Sequence, residues 1–173
     1  VLLGFETVPV EELPPREGPR ALPDGTTFDF ADAGEQSFRQ LRLRRPGGVT
    51  QVFELDYLAS GSRIFTIHAG PDGLIYGSSI MPLHLFRWNP GNDDLTDLGR
   101  CSSATGEAYS MANLEGQIYI SSYPRAILSV YDPALPYHFG TDEGDNPRDL
   151  GRIDELSYRP RSTLTGPLGR VWT

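Results

Sequence analysis

Two stretches of this sequence repeat one another at a fixed distance, and a chain that repeats folds as copies of one supersecondary unit. Gly70-Pro71-Asp72-Gly73-Leu74-Ile75-Tyr76-Gly77-Ser78-Ser79 is answered by Asn113-Leu114-Glu115-Gly116-Gln117-Ile118-Tyr119-Ile120-Ser121-Ser122. Gly73 and Gly116 stand 43 residues apart, and so do Pro90 of Trp88-Asn89-Pro90 and Pro133 of Tyr131-Asp132-Pro133. A third copy opens at Thr165-Gly166-Pro167-Leu168-Gly169-Arg170-Val171-Trp172, with Gly169 lying 53 residues after Gly116. The surplus has a home at 134–146, where Pro136, Gly140, Gly144 and the acids Asp142, Glu143 and Asp145 read as an inserted loop. Asp-Leu-Gly-Arg at 97–100 and again at 149–152 fits the same insertion.

Within one copy the pattern is that of short strands. Ile64-Phe65-Thr66-Ile67 is rich in β-formers, Pro71-Asp72-Gly73 supplies a turn, and Leu74-Ile75-Tyr76 restarts a strand, which predicts a hairpin. His84-Leu85-Phe86-Arg87-Trp88 alternates, and Asn89-Pro90-Gly91-Asn92 turns the chain into Leu95-Thr96-Asp97-Leu98. With 19 Gly and 15 Pro no long stretch of helix formers survives, and each Pro inside a helix costs about 3 kcal/mol. The expectation is an all-β chain of four-stranded antiparallel units at 62–100 and 108–152, with a partial third from 159. A plain meander or sandwich with coincident turns is the competing architecture.

Gly-Pro-Asp-Gly-x-Ile-Tyr, the Tyr-Asp-Pro strand end and the final Thr-Gly-Pro-x-Gly-Arg-Val-Trp resemble the blades of bacterial β-propellers. Families with such blades include NHL-like and kelch-like proteins, virginiamycin B lyase and propeller polysaccharide lyases. The resemblance covers residues 62–173; Leu168 departs from it, standing where such blades usually carry Asp, and no catalytic motif of any one family is matched. It implies an incomplete ring within this chain, because propellers run to about four to eight blades. Further sequence, or self-association of identical chains, would complete it.

The N-terminal third reads differently. Pro9, Pro14, Pro15, Pro19 and Pro23 make 1–25 an extended arm or linker. From 26 to 57, Phe28 and Phe30 alternate with polar residues, and 36–45 and 49–57 read as a β-hairpin around Pro46-Gly47-Gly48, either the outer half of a preceding blade or a small element docking on the first one. Arg39, Arg42, Arg44 and Arg45 suggest either an anion patch or an ion-paired surface.

Charge excludes one class of partner. All 15 basic residues are Arg against 23 acids, a net charge of −8, which disfavours a nucleic-acid backbone. No apolar run is long enough to span a bilayer, Val1-Leu2-Leu3-Gly4-Phe5 lacks the flank of a signal peptide, and a single cysteine, Cys101, makes no internal disulfide.

By the resemblance, ligands favour the face that carries the loops between second and third strands and between successive units. Here those are 78–83 and 121–126, then 100–107 and 152–159. Tyr123 and Arg125 replace Ile80 and Pro82 of the first copy, and His84 stands opposite Ile127. The expected site takes His84, Tyr123 and Arg125 as catalytic candidates, with Glu107, Tyr109, Tyr158, Arg159 and Arg161 binding ligand. A Tyr or His base, with Arg beside a carboxylate, suits proton abstraction from a uronic acid followed by elimination. The ligand expected is therefore a polysaccharide or small molecule, extracellular or periplasmic, cleaved or simply recognised. A non-catalytic scaffold for protein interactions is the alternative. No cofactor is expected: His68, His84 and His138 have no metal-ligand spacing, although the acids of 92–94 and 142–146 offer oxygens to calcium.

Overall fold

The hairpin turns decide where each strand begins. Leu114 pairs with Gln117, leaving Glu115 and Gly116 as a two-residue loop with φ of 52° and 81°, the twist that antiparallel strands require. In the earlier copy Ala69 pairs with Ile75, and the loop is longer: Gly70 donates to Leu74 O at 2.7 Å and Gly73, at φ 81°, donates to Gly70 O at 3.3 Å. The two glycines hold equivalent places with the same φ, but the loops differ by one residue.

In a computed structural model the described residues are 20–31, 40–54 and 64–160, with the backbone alone of 164–166 and 170–172. The proline-rich 1–19, Arg39 and Arg161 lie outside them. No helix occurs among the described residues. Strands β1 (Thr27–Phe30), β2 (Gln40–Arg44) and β3 (Thr50–Glu54) form one antiparallel sheet in chain order. Next come β4 (Ile64–Ala69), β5 (Ile75–Ser79), β6 (His84–Asn89) and β7 (Asp94–Arg100), a four-stranded sheet in the order β4-β5-β6-β7. The same order recurs in β8 (Ala108–Leu114), β9 (Gln117–Ser122), β10 (Ile127–Tyr131) and β11 (Arg148–Arg152). Finally β12 (Leu164–Gly166) pairs with β13 (Arg170–Trp172). The all-β class read from the turns is the class observed.

Because strand side chains alternate between faces, the β4–β7 sheet buries side chains on both of its faces. Phe86 and Trp88 of β6 join Ile64, Ile67 and Ile75 against Leu22, Phe28, Leu41 and Leu43 of the N-terminal sheet. Tyr76, Leu83 and Leu85 point the other way, into a second core with Ala108, Met111, Ile118, Ile120 and Tyr131. Trp88 is anchored as well as buried: its indole donates to Asp93 Oδ1 at 2.9 Å, and Phe53 meets its ring at 4.9 Å.

The repeated Asp-Leu-Gly-Arg has a structural explanation. Leu85 pairs with Gly99 and Phe86 with Asp97, while Leu128 pairs with Gly151 and Ser129 with Asp149. Leu98 and Leu150 are thus the extra residues of two matched β-bulges. The arginine that follows pins the next loop: Arg100 donates to Ser102 O at 2.9 Å, and Arg152 to Arg125 O, Glu155 O and Ser157 O at 3.1, 2.6 and 2.9 Å. The inserted loop folds back as a strap. Tyr137 donates its hydroxyl to Gly99 O and Arg100 O at 3.1 and 2.8 Å, and the Arg100 guanidinium lies 5.0 Å over the Phe139 ring.

Of the expected anion patch, Arg42 and Arg44 pair with Asp29 at 3.5 and 3.2 Å, and Arg45 donates to Gln51 and Pro90 O. That hairpin face is ion-paired and hydrogen-bonded, as the second reading of those arginines anticipated.

Candidate functional site

The site is built on two more bulges. On β4, Ile64 pairs with Ser79 and Thr66 with Ser78; on β8, Ala108 pairs with Ser122 and Ser110 with Ser121. Phe65 and Tyr109 are therefore the unpaired residues at one position of two successive sheets, each turned out of its ladder. Their rings meet edge-to-face at 5.6 Å. Tyr109 continues to Tyr123 at 6.3 Å, and Tyr123 to Tyr158 at 5.3 Å. Aromatic quadrupoles favour such contacts, so the four rings brace one another in a row. Tyr158 is 55% exposed and Phe65 39%, while Tyr109 and Tyr123 are half-buried.

Backbone bonds fix the row. Gly106 donates to Tyr123 O at 3.0 Å and Tyr123 to Glu107 O at 2.9 Å. Gly106 is required there, because a Cβ would stand 2.5 Å from a Tyr123 ring carbon and 2.9 Å from its carbonyl oxygen. Met81 donates to Gly106 O at 3.1 Å, Ala126 to Tyr158 O at 3.2 Å and Ile153 to Ala126 O at 2.9 Å. These bonds gather the second-to-third-strand loops and the inter-sheet loops on one side.

The charges are local. The Arg159 guanidinium sits 5.0 Å from the Tyr123 ring centroid, a cation–π distance. The Tyr123 side chain first, then Tyr109 and more weakly Glu107, push the Arg159 pKa upward, so the group stays charged. Arg125 is exposed and adopts φ 73°. Its carbonyl is held by Arg152, and its guanidinium has no hydrogen bond or ion pair among the described residues. Its backbone is adjacent to that of Tyr158 through the Ala126 bond. Glu107, Tyr109, Tyr123, Tyr158 and Arg159 are thus brought together, with Arg125 beside them.

His84 is not. Leu83 and Leu85 point into the core shared with the β8–β11 sheet, so His84 between them lies on the opposite face of β6, the face of Phe86 and Trp88. There its Nδ1 lies 3.1 Å from Asp97 Oδ2, and no described contact joins it to Tyr123 or Arg125. Alternation along β6 removes the shared mouth that equal loop positions suggested.

Phe65 belongs to the ring row but is not among the residues the sequence singles out. Repeat spacing counted from the glycine turns sets Thr66 opposite Tyr109. The one-residue difference in loop length moves the first strand, and the bulge register shows that Phe65 holds the place.

No group of three metal-binding side chains occurs among the described residues. Of the groups that offered calcium oxygens, Asp93 accepts from the Trp88 indole, Asn92 Oδ1 from Asp94 N, and Asp145 Oδ2 from Asp142 N. At the opposite end of the sheets, a hollow of about 450 Å³ lies among Leu22, Arg45, Asp72 and Pro90, and a second of about 210 Å³ shares Asp72 with it. Neither includes a residue of the ring row.

No protein-family model matches this chain, and no curated protein matches it significantly.

Proposed function

We propose that this chain is a run of β-propeller blades that recognises a carbohydrate across Tyr109, Tyr123 and Tyr158, with Arg159 and Arg125 meeting acidic substituents. Support for the propeller comes from two sheets of identical strand order, whose first strands β4 and β8 lie side by side through Thr66 Oγ1 donating to Ala108 O at 2.6 Å. The observation that carries the functional reading is the braced row of exposed and half-exposed tyrosines with a guanidinium over its middle ring. Aromatic faces take the apolar faces of sugar rings, phenol hydroxyls exchange hydrogen bonds with sugar hydroxyls, and a planar guanidinium suits a carboxylate.

Calorimetric titration with polygalacturonate, polymannuronate and cellulose oligomers tests this. Binding of at least one acidic polymer is expected, weakened about tenfold by Tyr123→Ala, the scale of losing one well-packed aromatic contact. Absence of binding to all three, with a protein partner captured on the same face, favours the scaffold alternative.

Elimination is a second reading, favoured by one observation: the Arg159 guanidinium beside the Tyr123 ring can pair with a uronate carboxylate and so acidify the proton on the carbon next to it, which Tyr123 would take. The electron pair then expels the glycosidic oxygen and leaves an unsaturated uronate. Its ultraviolet absorbance separates cleavage from binding alone.

A further inference from the structure

We infer that the ligand of this site is an extended chain of several units, and that Phe65 is one of its contacts at the far end from Arg159. The inference rests on the carbohydrate reading above and goes beyond it to the length of what is read. Phe65 and Tyr109 reach the same rim by the same device, a bulge at one position of β4 and β8. Each bulge gives up regular pairing on the first strand of a sheet, and each spends it on an aromatic ring turned outward.

The row has a direction. The described ring contacts link Phe65 to Tyr109, Tyr109 to Tyr123 and Tyr123 to Tyr158, in steps of 5.6, 6.3 and 5.3 Å. A single sugar covers one such ring, or two at most. Four in succession, with Arg159 over the third, offer successive positions to a linear polymer. Phe65 has no polar atom to satisfy and yet is 39% exposed; stacking on an apolar sugar face is the contact its ring can offer. The charge sits at the Tyr123–Tyr158 end, so that end anchors an acidic unit and the Phe65 end takes the remainder of the chain.

The test is titration of the chain and its Phe65→Ala and Phe65→Tyr variants with galacturonate, mannuronate and glucose oligomers of one, two and six units. The wild type is expected to bind the hexamer of at least one series about tenfold or more tighter than its dimer, the scale of added aromatic contacts. Phe65→Ala is expected to lower hexamer affinity about fivefold while leaving the dimer unchanged, and Phe65→Tyr to restore it. Equal affinity for dimer and hexamer overturns the extended site while leaving carbohydrate recognition standing, and so does an equal loss for both lengths in Phe65→Ala. No binding of any oligomer at any length overturns the recognition reading and this inference with it. Folding is checked by the thermal transition of each variant, and because the ring is partly exposed little change is expected.

Discussion

Lowering the pH should destabilise this fold through one residue, His68. Its side chain is 1% exposed on β4, and its Nε2 lies 2.7 Å from Asn113 Oδ1 on β8. Asn113 Nδ2 donates to Ala69 O at 2.8 Å, which fixes the amide so that Oδ1 faces the imidazole. Nε2 must then carry the hydrogen. Nδ1 is buried with no hydrogen-bond partner among the described residues, which is tolerable for a bare lone pair and costly for an N–H. Protonation would place both the charge and that N–H where no described group accepts them, and burial accordingly holds the pKa down at about 4, the Asn113 bond opposing it only in part.

The sign follows from linkage. Above pH 6.5 the imidazole is neutral in both folded and unfolded chains and the full stability is present. As pH falls from 6.5 to about 4, the unfolded chain takes up a proton that the native chain refuses. The gap between those values corresponds to about 3 kcal/mol lost at the bottom of the window, a large share of an ordinary folding free energy. Urea unfolding of wild type and His68→Gln, at about pH 7.5 and about pH 4.5, measures it. The Gln amide can still donate to Asn113 but does not titrate, and protonation of carboxylates is common to both proteins. Wild type is expected to lose about 2.5 kcal/mol more than the variant over that interval, which stops short of the bottom of the window. Identical pH slopes, or a His68 ring proton that titrates near neutrality by NMR, would refute the reasoning.

Other expectations follow from single contacts. Asp149→Ala removes the acceptor of both Ser129 Oγ at 2.5 Å and Ser103 N at 2.9 Å; with Ser129 wholly buried, chemical denaturation should show a loss of about 2–4 kcal/mol. Gly106→Ala should displace the Tyr123 ring and its loop, costing about 1–3 kcal/mol and abolishing the ultraviolet difference signal of the tyrosines on ligand addition. Arg152→Lys cannot reproduce the fork that reaches Arg125 O, Glu155 O and Ser157 O. It should weaken oligosaccharide binding several-fold with the unfolding midpoint little changed, and a large stability loss with intact binding would contradict that positioning role.

The repeat carried most of the fold to the surface of the sequence, because turn glycines and strand-ending prolines are local signals that survive without tertiary information. Asp-Leu-Gly-Arg was legible as a marker but not as a bulge: a bulge is a relation between two strands, and only the pairing of Leu85 with Gly99 while Phe86 meets Asp97 reveals it. The same limit explains both outcomes at the site. Tyr123, Tyr158 and Arg159 sit on loops whose position follows from strand order alone, so counting strands was enough to group them. His84 and Phe65 sit in strands, where one residue of register turns a side chain to the opposite face. His84 follows Leu83 into β6 and therefore faces away from the core that Leu83 enters. Phe65 was hidden by the extra residue of the Gly70–Leu74 loop, which slides β4 by one against a repeat counted from Gly73. A register argument made on each first strand from its own bulge, rather than from the turn that follows it, places Phe65 beside Tyr109 and makes the row four rings long.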